Sequence, residues 1–369
     1  MGDGTTLILA GDVMTGRGID QILPHPGSPR LHERYVGDAR SYVDLAEQVN
    51  GHVPMPVEAT WPWGEALRVM DDAGPAVRVM NLETSVTRSE EIAPRKAVHY
   101  RMSPANVPCL EAAGADVWTL ANNHVLDHGR PGLVETLTTL RDAHLRSAGA
   151  GTDADEAWAP VIVAGAENRV VVCSVAHVSS GVPPGWAAAP HRPGVALLED
   201  LSAATADMVA DATLRDARAG DIRVVSVHWG SNWGYDVPRE QQRFAHRLVD
   251  AGVHVVHGHS SHHPRPVEVY RDRLVLYGCG DLVNDYEGIS GYEGFRDDLR
   301  MLYLPRFSAG SGVLQGLTMA PFQARKMRLW AAEPADIDWL AHTLSEVSGR
   351  LGSAFSVSGD GLLRLRPVG

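Results

Sequence analysis

The sequence predicts a layered α/β fold, and three observations carry that prediction. Short apolar strands alternate with helical stretches along most of the 369 residues, the pattern of sheets packed on helices. No interior linker, repeat or low-complexity segment divides the chain, so residues 1–369 read as one elaborated domain. Strand after strand also ends in a cluster of Asp, Glu, Asn or His. In open α/β sheets, sites form beyond the carboxyl ends of the strands.

The elements follow in order. Thr5 to Ala10 is a strand ending in Gly11-Asp12. Residues 13 to 60 are irregular apart from one helical patch, Tyr42 to Val49. A stretch of that length inside a domain is usually functional, so about 17–63 is expected to be a lid or substrate segment. Glu65 to Ala73 is helical, and the strand Val77 to Met80 delivers Asn81-Leu82-Glu83. The helix Pro104 to Ala113 precedes a strand, Asp116 to Leu120, that delivers Asn122-Asn123-His124. Pro131 to Ala143 is the next helix, with Asp127 expected to cap it rather than to orient His124. Pro160 to Val163 and Arg169 to Val175 read as paired strands. After a helix from Leu201 to Ala219, the strand Ile222 to Val227 delivers His228-Trp229-Gly230. After a helix from Arg239 to Ala251, the strand Val253 to Val256 delivers His257-Gly258-His259. A hairpin, Pro266 to Tyr270 with Arg273 to Tyr277, leads to Gly280-Asp281. A strand from Val313 to Met319, a helix from about Ala335 to Leu351 and short strands close the chain.

Composition narrows the class. Hydrophobic residues at 44% and charged residues at 21% are globular values. A net charge of -12 argues against a general nucleic-acid binder, which needs a basic footprint. Cys109, Cys173 and Cys279 are far apart in apolar surroundings, so buried reduced thiols are expected rather than disulfides. The chain opens almost at once on a strand, without a basic and then apolar leader, and has no apolar run of membrane-spanning length. A cytoplasmic protein with no membrane contact is expected.

The strand ends together hold Asp12, Glu83, Asn122, Asn123, His124, His228, His257, His259, His262 and His263. Any one of them alone reads as a turn, a cap or a satisfied core histidine. Five strand ends carrying donor groups point to a divalent metal site. Carboxylate, amide and imidazole donors without cysteine suit Mn, Fe, Zn or Ca, and the sequence does not choose among them. No P-loop, nucleophile elbow or dinucleotide fingerprint is present, so no nucleotide cofactor is expected.

These residues resemble the CapA-type branch of the calcineurin-like metallophosphatase fold, named for poly-γ-glutamate capsule synthesis. The matching segments are Leu9 to Met14, Asn81 to Thr84, Ala121 to Gly129, Val227 to Gly230 and Gly258 to His262. The resemblance covers roughly Leu7 to Trp339 and implies a four-layer α/β/β/α sandwich with a metal site along one edge of its sheets. It makes Asp12 the first metal-binding aspartate and places Glu83 at the bridging carboxylate. It implies ligand roles for Asn123, His228, His259 and His262, with His124 as the acid near the reacting group. Val13-Met14 follow Asp12 where phosphatases of this fold carry Asp-x-His, so one ligand is missing. Asp281 stands where Asn is usual.

Cytoplasmic members of that family include lasso-peptide epimerases, and the resemblance suggests inversion at Cα of the C-terminal residue of a precursor peptide. Epimerisation needs an acid and a base at one carbon, and histidine serves either role. His124 and His259 are the expected proton carriers, with Asp12 and Asp281 as partners. Trp61, Trp63, Trp229 and Trp233 are expected to bind the peptide. The rival readings are a metal-dependent phosphoesterase or amide hydrolase, and a non-catalytic subunit of poly-γ-glutamate synthesis.

Overall fold

The computed structural model describes residues 4–367. Its principal strands, in chain order, are β1 (Gly4–Val13), β2 (Val77–Leu82), β3 (Val117–Thr119), β4 (Arg169–His177) and β5 (Ile222–His228), then β6 (Val255–His259), β7 (Arg273–Leu276), β8 (Asp281–Val283), β9 (Leu299–Ser308) and β10 (Leu314–Arg325). The principal helices are α1 (Arg17–Ile22), α2 (Arg40–Asn50), α3 (Gly129–Asp142), α4 (Ala203–Leu214), α5 (Arg239–Asp250) and α6 (Pro334–Ser348).

Two sheets face each other. The first runs β10-β9-β1-β2-β3, with β1, β2 and β3 parallel and β9 and β10 antiparallel. The second has β4, β5, β6 and β7 side by side and parallel. Side chains alternate across a strand, and this sorts the core into three layers. Leu7, Leu9, Val77 and Val79 of the first sheet meet Val172, Val224, Val255 and Leu274 of the second. Ile8, Ala10, Met80 and Trp118 point the other way, toward α1, α2 and α3. Val175, Val225, Val227 and Val256 point toward α4 and α5, packing on Val209, Phe244 and Leu248. The result is the expected four-layer α/β/β/α sandwich. Strands covered on both faces read as continuous apolar runs, which is why Val170-Val171-Val172 is valine throughout.

Most expected elements are present within a few residues of their bounds. The sequence reading missed α1, β8 and β9. In β9, Pro305 interrupts the pattern and demotes it as a strand signal. The expected lid segment is also more structured than its composition suggests: Ile19, Ile22, Tyr42, Val43, Val53 and Trp63 are buried in the core on the helical side of the first sheet. All three cysteines are buried and free. No helix among the described residues is long and apolar enough to cross a membrane.

The short strand β8 shapes the polar edge of the first sheet. The N-terminal part of β1 pairs with β9, and its C-terminal end pairs in parallel with β8, setting Asp12 opposite Asp281. Gly11 permits this approach, because a Cβ there would lie 1.8 Å from the Gly280 carbonyl oxygen.

Candidate metal centre

The carboxyl ends of β1, β2, β5 and β6 converge with the loops after β2, β3 and β6 and with the start of β8. Asp12 is fully buried at the centre. Asn81 Nδ2 donates to its Oδ1 at 2.7 Å, and the Ser260 N–H donates to its Oδ2 at 3.1 Å. Glu83 is held in by its N–H, which donates to the Val13 carbonyl at 3.0 Å. Its Oε1 stands 3.7 Å from both His124 Nε2 and His228 Nε2, while its Oε2 is buried without a hydrogen-bond partner.

Two groups of three donors have the spacing of metal ligands, Asp12 with His228 and His259, and Asp12 with His262 and Asp281. In the first, the Nδ1 atoms of His228 and His259 face each other at 2.7 Å and lie 4.0 and 3.7 Å from Asp12 Oδ1. Asn123 Oδ1 adds an oxygen 2.9 Å from His228 Nε2. In the second, His262 Nδ1 lies 3.0 Å from Asp281 Oδ1, and Asn284 donates to Asp281 Oδ2 at 2.6 Å. The ligand missing from the first motif is thus offset by Asp281, brought alongside Asp12 by the β1–β8 pairing.

Three buried carboxylates so close together resist ionisation unless a cation joins them. Burial, then the Asp281 charge, pushes Asp12 up to about 7. Burial and the Asp12 charge push Glu83 well above its ordinary range. Burial pushes His228 and His259 down, which leaves them neutral and available as ligands. An orphaned Glu83 oxygen, neutral imidazoles and clustered carboxylates fit a divalent ion.

Beside this centre stands a second device. His124 Nδ1 is 2.6 Å from Asp127 Oδ2, and Lys96 Nζ is 2.5 Å from Asp127 Oδ1. The Tyr100 N–H donates to the same carboxylate at 2.7 Å. Burial pushes Asp127 up, but the His124 and Lys96 charges overcome it and hold it at about 2. Burial pushes His124 down to about 4 despite Asp127. At neutral pH the pair is therefore an ionised carboxylate and a neutral imidazole with its proton on Nδ1, leaving Nε2 toward Glu83. His262 differs: burial pushes it down, but the Asp281 and Asp12 charges prevail and raise it.

Several expectations need correction. Asp127 does not cap α3, whose N-terminal flanking residue is His128 and which has no side-chain cap, so orienting His124 is its role. Of the two expected carboxylate partners, Asp281 pairs with His262 instead of His259, whose Nδ1 lies 3.7 Å from Asp12 Oδ1. The His259 Nε2 is 2.8 Å from Ser226 Oγ and its Nδ1 faces His228, whereas His262 has the Asp281 partner. His257 is tied to Ser226 and to the Ala10 carbonyl, and Asn122 to Asn81, Leu82 and its own turn. Trp63 and Trp229 are fully buried, donating to the Cys109 and Tyr277 carbonyls, and offer no surface to a peptide. Trp61 donates to the Lys326 carbonyl and stacks with Arg328, which fixes it to the hairpin beyond β10. Trp233, half-buried, does border the centre: its ring lies 5.3 Å from His262 and stacks on Tyr292 at 4.0 Å.

The sequence reading missed Lys96, and a signal for it existed. Of the 33 Lys and Arg residues only Lys96 and Lys326 are lysines, and Lys96 lies in an irregular segment. Tyr100 and Tyr286 were missed as well. Their hydroxyls meet at 2.8 Å, while their rings pack edge-on against His124 and His262.

Fold and site together define a metallophosphatase-like protein. The chain belongs to the bacterial capsule synthesis protein family PGA_cap, which matches residues 6–286. It is 52% identical over 368 residues to a "Probable polyglutamine synthesis accessory protein" of Mycobacterium tuberculosis, covering 99% of this chain and 97% of that one. It is 25% identical over 288 residues to "Capsule biosynthesis protein CapA" of Bacillus anthracis, covering 76% and 60% of the two chains. With "PGA biosynthesis protein CapA" of Bacillus subtilis it shares 29% over 209 residues, covering 56% and 52%.

Proposed function

We propose that this protein is a metal-dependent accessory enzyme of glutamyl-polymer synthesis, acting on the polymer's amide chain by acid–base chemistry. The observation that carries the reading is the 52% identity, over nearly the whole of both chains, with a protein named for polyglutamine synthesis. The comparisons lend no support to the lasso-peptide epimerase expected from sequence, and the polymer reading takes its place.

Asp12, His228, His259, Asn123 and Glu83 would hold the cation, with His262 and Asp281 as donors for a second position. A divalent ion held there supplies Lewis-acid polarisation of a substrate carbonyl. The chain's own residues handle the proton. Asp127 fixes the ring of His124 and its tautomer. Neutral His124 then accepts a proton at Nε2 or, once charged, returns it to a leaving amine. Lys96 keeps Asp127 ionised, and Trp233 walls the approach beside His262.

One observation favours stereochemical inversion as a second reading for the same polymer. Two His–carboxylate pairs, His124–Asp127 and His262–Asp281, flank the Asp12–Glu83 carboxylates, and inversion at carbon needs a proton carrier on each side. The deciding experiment incubates metal-loaded protein with a γ-glutamyl oligomer in heavy water and follows chain length and Cα deuterium by mass spectrometry. Shortened chains identify an amide hydrolase, and deuterium without shortening identifies the epimerase chemistry. Turnover of a chromogenic phosphate ester with intact oligomer would point to the phosphoesterase instead. With Mn, Ca and Zn each tried, inactivity on all substrates refutes the catalytic proposal and leaves a non-catalytic subunit.

A further inference from the structure

Behind the second group of donors lies a buried cation that no carboxylate pairs with. Arg300, on β9, is among the largest fully buried side chains, and no carboxylate among the described residues lies within ion-pair distance of it. A buried charge without a counterion is costly unless hydrogen bonds satisfy it. Its Nη1 donates to the Asp297 and Leu299 carbonyls, and its Nη2 donates to Asn284 Oδ1 at 2.8 Å. Asn284 is thus the one side chain that accepts from this guanidinium among the described residues.

Asn284 directly follows β8 and is buried as well. Its Oδ1 accepts from Arg300 Nη2 and from the Tyr286 N–H at 3.1 Å. Both of these groups only donate, so the amide oxygen must face them and the amide nitrogen must face Asp281. There Nδ2 donates to Asp281 Oδ2 at 2.6 Å. With Oδ2 held, the other oxygen of Asp281 is turned to His262 Nδ1 at 3.0 Å, within the group that Asp12, His262 and Asp281 form. A guanidinium bonded to Asp281 directly would fork onto both carboxylate oxygens and compete with a metal ion for them. The interposed amide gives the carboxylate a donor and leaves Oδ1 open. The next residue, Asp285, is gripped by Arg17, with Nε at 3.1 Å and Nη2 at 2.5 Å. The segment leaving β8 is therefore tied to two buried arginines.

We propose that Asn284, locked by Arg300, is a positioning residue for the second cation position. The inference rests on the metal-centre reading above and adds what gives that position its shape. Pairing of β1 with β8 sets the Asp281 main chain beside Asp12, but main-chain pairing does not choose a carboxylate's rotamer. The Asn284 amide makes that choice. Hydrogen-bond partners of metal ligands commonly contribute about 10–100-fold of affinity. His228 and His259, the histidines of the first position, have no bond to Asn284 among the described residues. Loss of the amide is therefore felt at the second position and not at the first.

The test is calorimetric titration of chelator-treated protein with Mn alone, for the parent, Asn284→Ala, Asp281→Ala and the double variant. The parent is expected to bind two equivalents. Asn284→Ala, which changes no charge, should weaken one of them about tenfold or more and the other less than about threefold. The weakened position should be the one Asp281 serves, so adding Asn284→Ala to Asp281→Ala should cost nothing further. Asn284→Ala also leaves Arg300 short of an acceptor. If it fails to fold, Asn284→Ala with Arg300→Met removes the stranded charge and carries the same expectation. Loss of a nearby cation would by itself tighten Mn binding, so weakening in that variant speaks for position rather than charge. Two equivalents bound alike by parent and Asn284→Ala overturn the proposal, as do equal losses at both positions and losses that add to those of Asp281→Ala. A parent that binds a single equivalent overturns it too and leaves Asp12, His228 and His259 as a lone site. A parent that binds none refutes the metal centre itself.

Discussion

Removing the cation should leave a protein in which Asp12 costs stability as pH rises toward neutrality. The effect comes from Asp12, which is fully buried beside Glu83 and Asp281. Its carboxyl is pushed from 3.8 to about 7 by burial and by Asp281. Because the folded value lies above the unfolded one, the stability this proton lends is complete below 3.8 and is lost as pH rises through about 7. At about 1.4 kcal/mol per pH unit, the loss is on the order of 4 kcal/mol. Glu83 is pushed in the same direction. Asp127, held at about 2, changes charge below this window, but the buried histidines pushed down from 6.5, among them His124, His228 and His259, add stability as pH rises toward 6.5, so the Asp12 share is read as the difference between the parent and Asp12→Asn. For a chain of 369 residues, 4 kcal/mol is about 5 °C in melting temperature. A cation binding the ionised cluster reverses the trend, adding about 4 kcal/mol at a thousandfold excess over its Kd. Thermal melts of chelator-treated parent and Asp12→Asn proteins between about pH 4 and 8, and of the parent with and without Mn or Ca, read both effects. Identical melting temperatures with and without metal at pH 8 would refute the cradle, as would metal-free parent and Asp12→Asn proteins whose melting temperatures follow the same course with pH.

The same geometry sets three further outcomes. Asp127→Asn removes the charge that Lys96 and His124 both face, so it should lower kcat on the polymer by about 10²–10⁴-fold and stability by about 3–5 kcal/mol; steady-state kinetics and urea unfolding check the two separately, and full activity would sink the role given to His124. Gly11→Ala drives a Cβ into the Gly280 carbonyl and should part β8 from β1, so the variant is expected to lose metal affinity together with stability in calorimetry. Trp63→Ala should cost about 3–5 kcal/mol by opening a core cavity, whereas Trp233→Ala should raise KM with a stability change of about 1 kcal/mol or less; a silent Trp63→Ala would contradict its burial.

Much of the site was legible because its chemistry is concentrated where strands end. Asp12, Glu83, Asn123, His228, His259 and His262 each follow a run of strand-forming residues, and the structure gathers all six. Roles were harder to read than membership. Asp127 lies three residues after His124, a spacing equally suited to capping the next helix, and only the turn's actual path aims its carboxylate at the imidazole. The tryptophans mislead for a related reason. An indole suits a binding groove and a core equally well, so its residue type does not say which side of a layer it occupies.

The sequence by itself determined the layered architecture and the donor set, because strand alternation, valine runs and residue type are local properties. Tertiary structure decided the partnerships. Asp281 lies 269 residues beyond Asp12 and becomes its neighbour through a short parallel pairing that a glycine makes room for. Lys96 reaches Asp127 across a loop without periodic signal, and Asp281 pairs with His262 while Asp12 stands 3.7 Å from His259. Such pairings depend on distances of a few ångströms between segments far apart in the chain. Those distances are set by the packing of two sheets and their helices, which residue order alone does not encode locally.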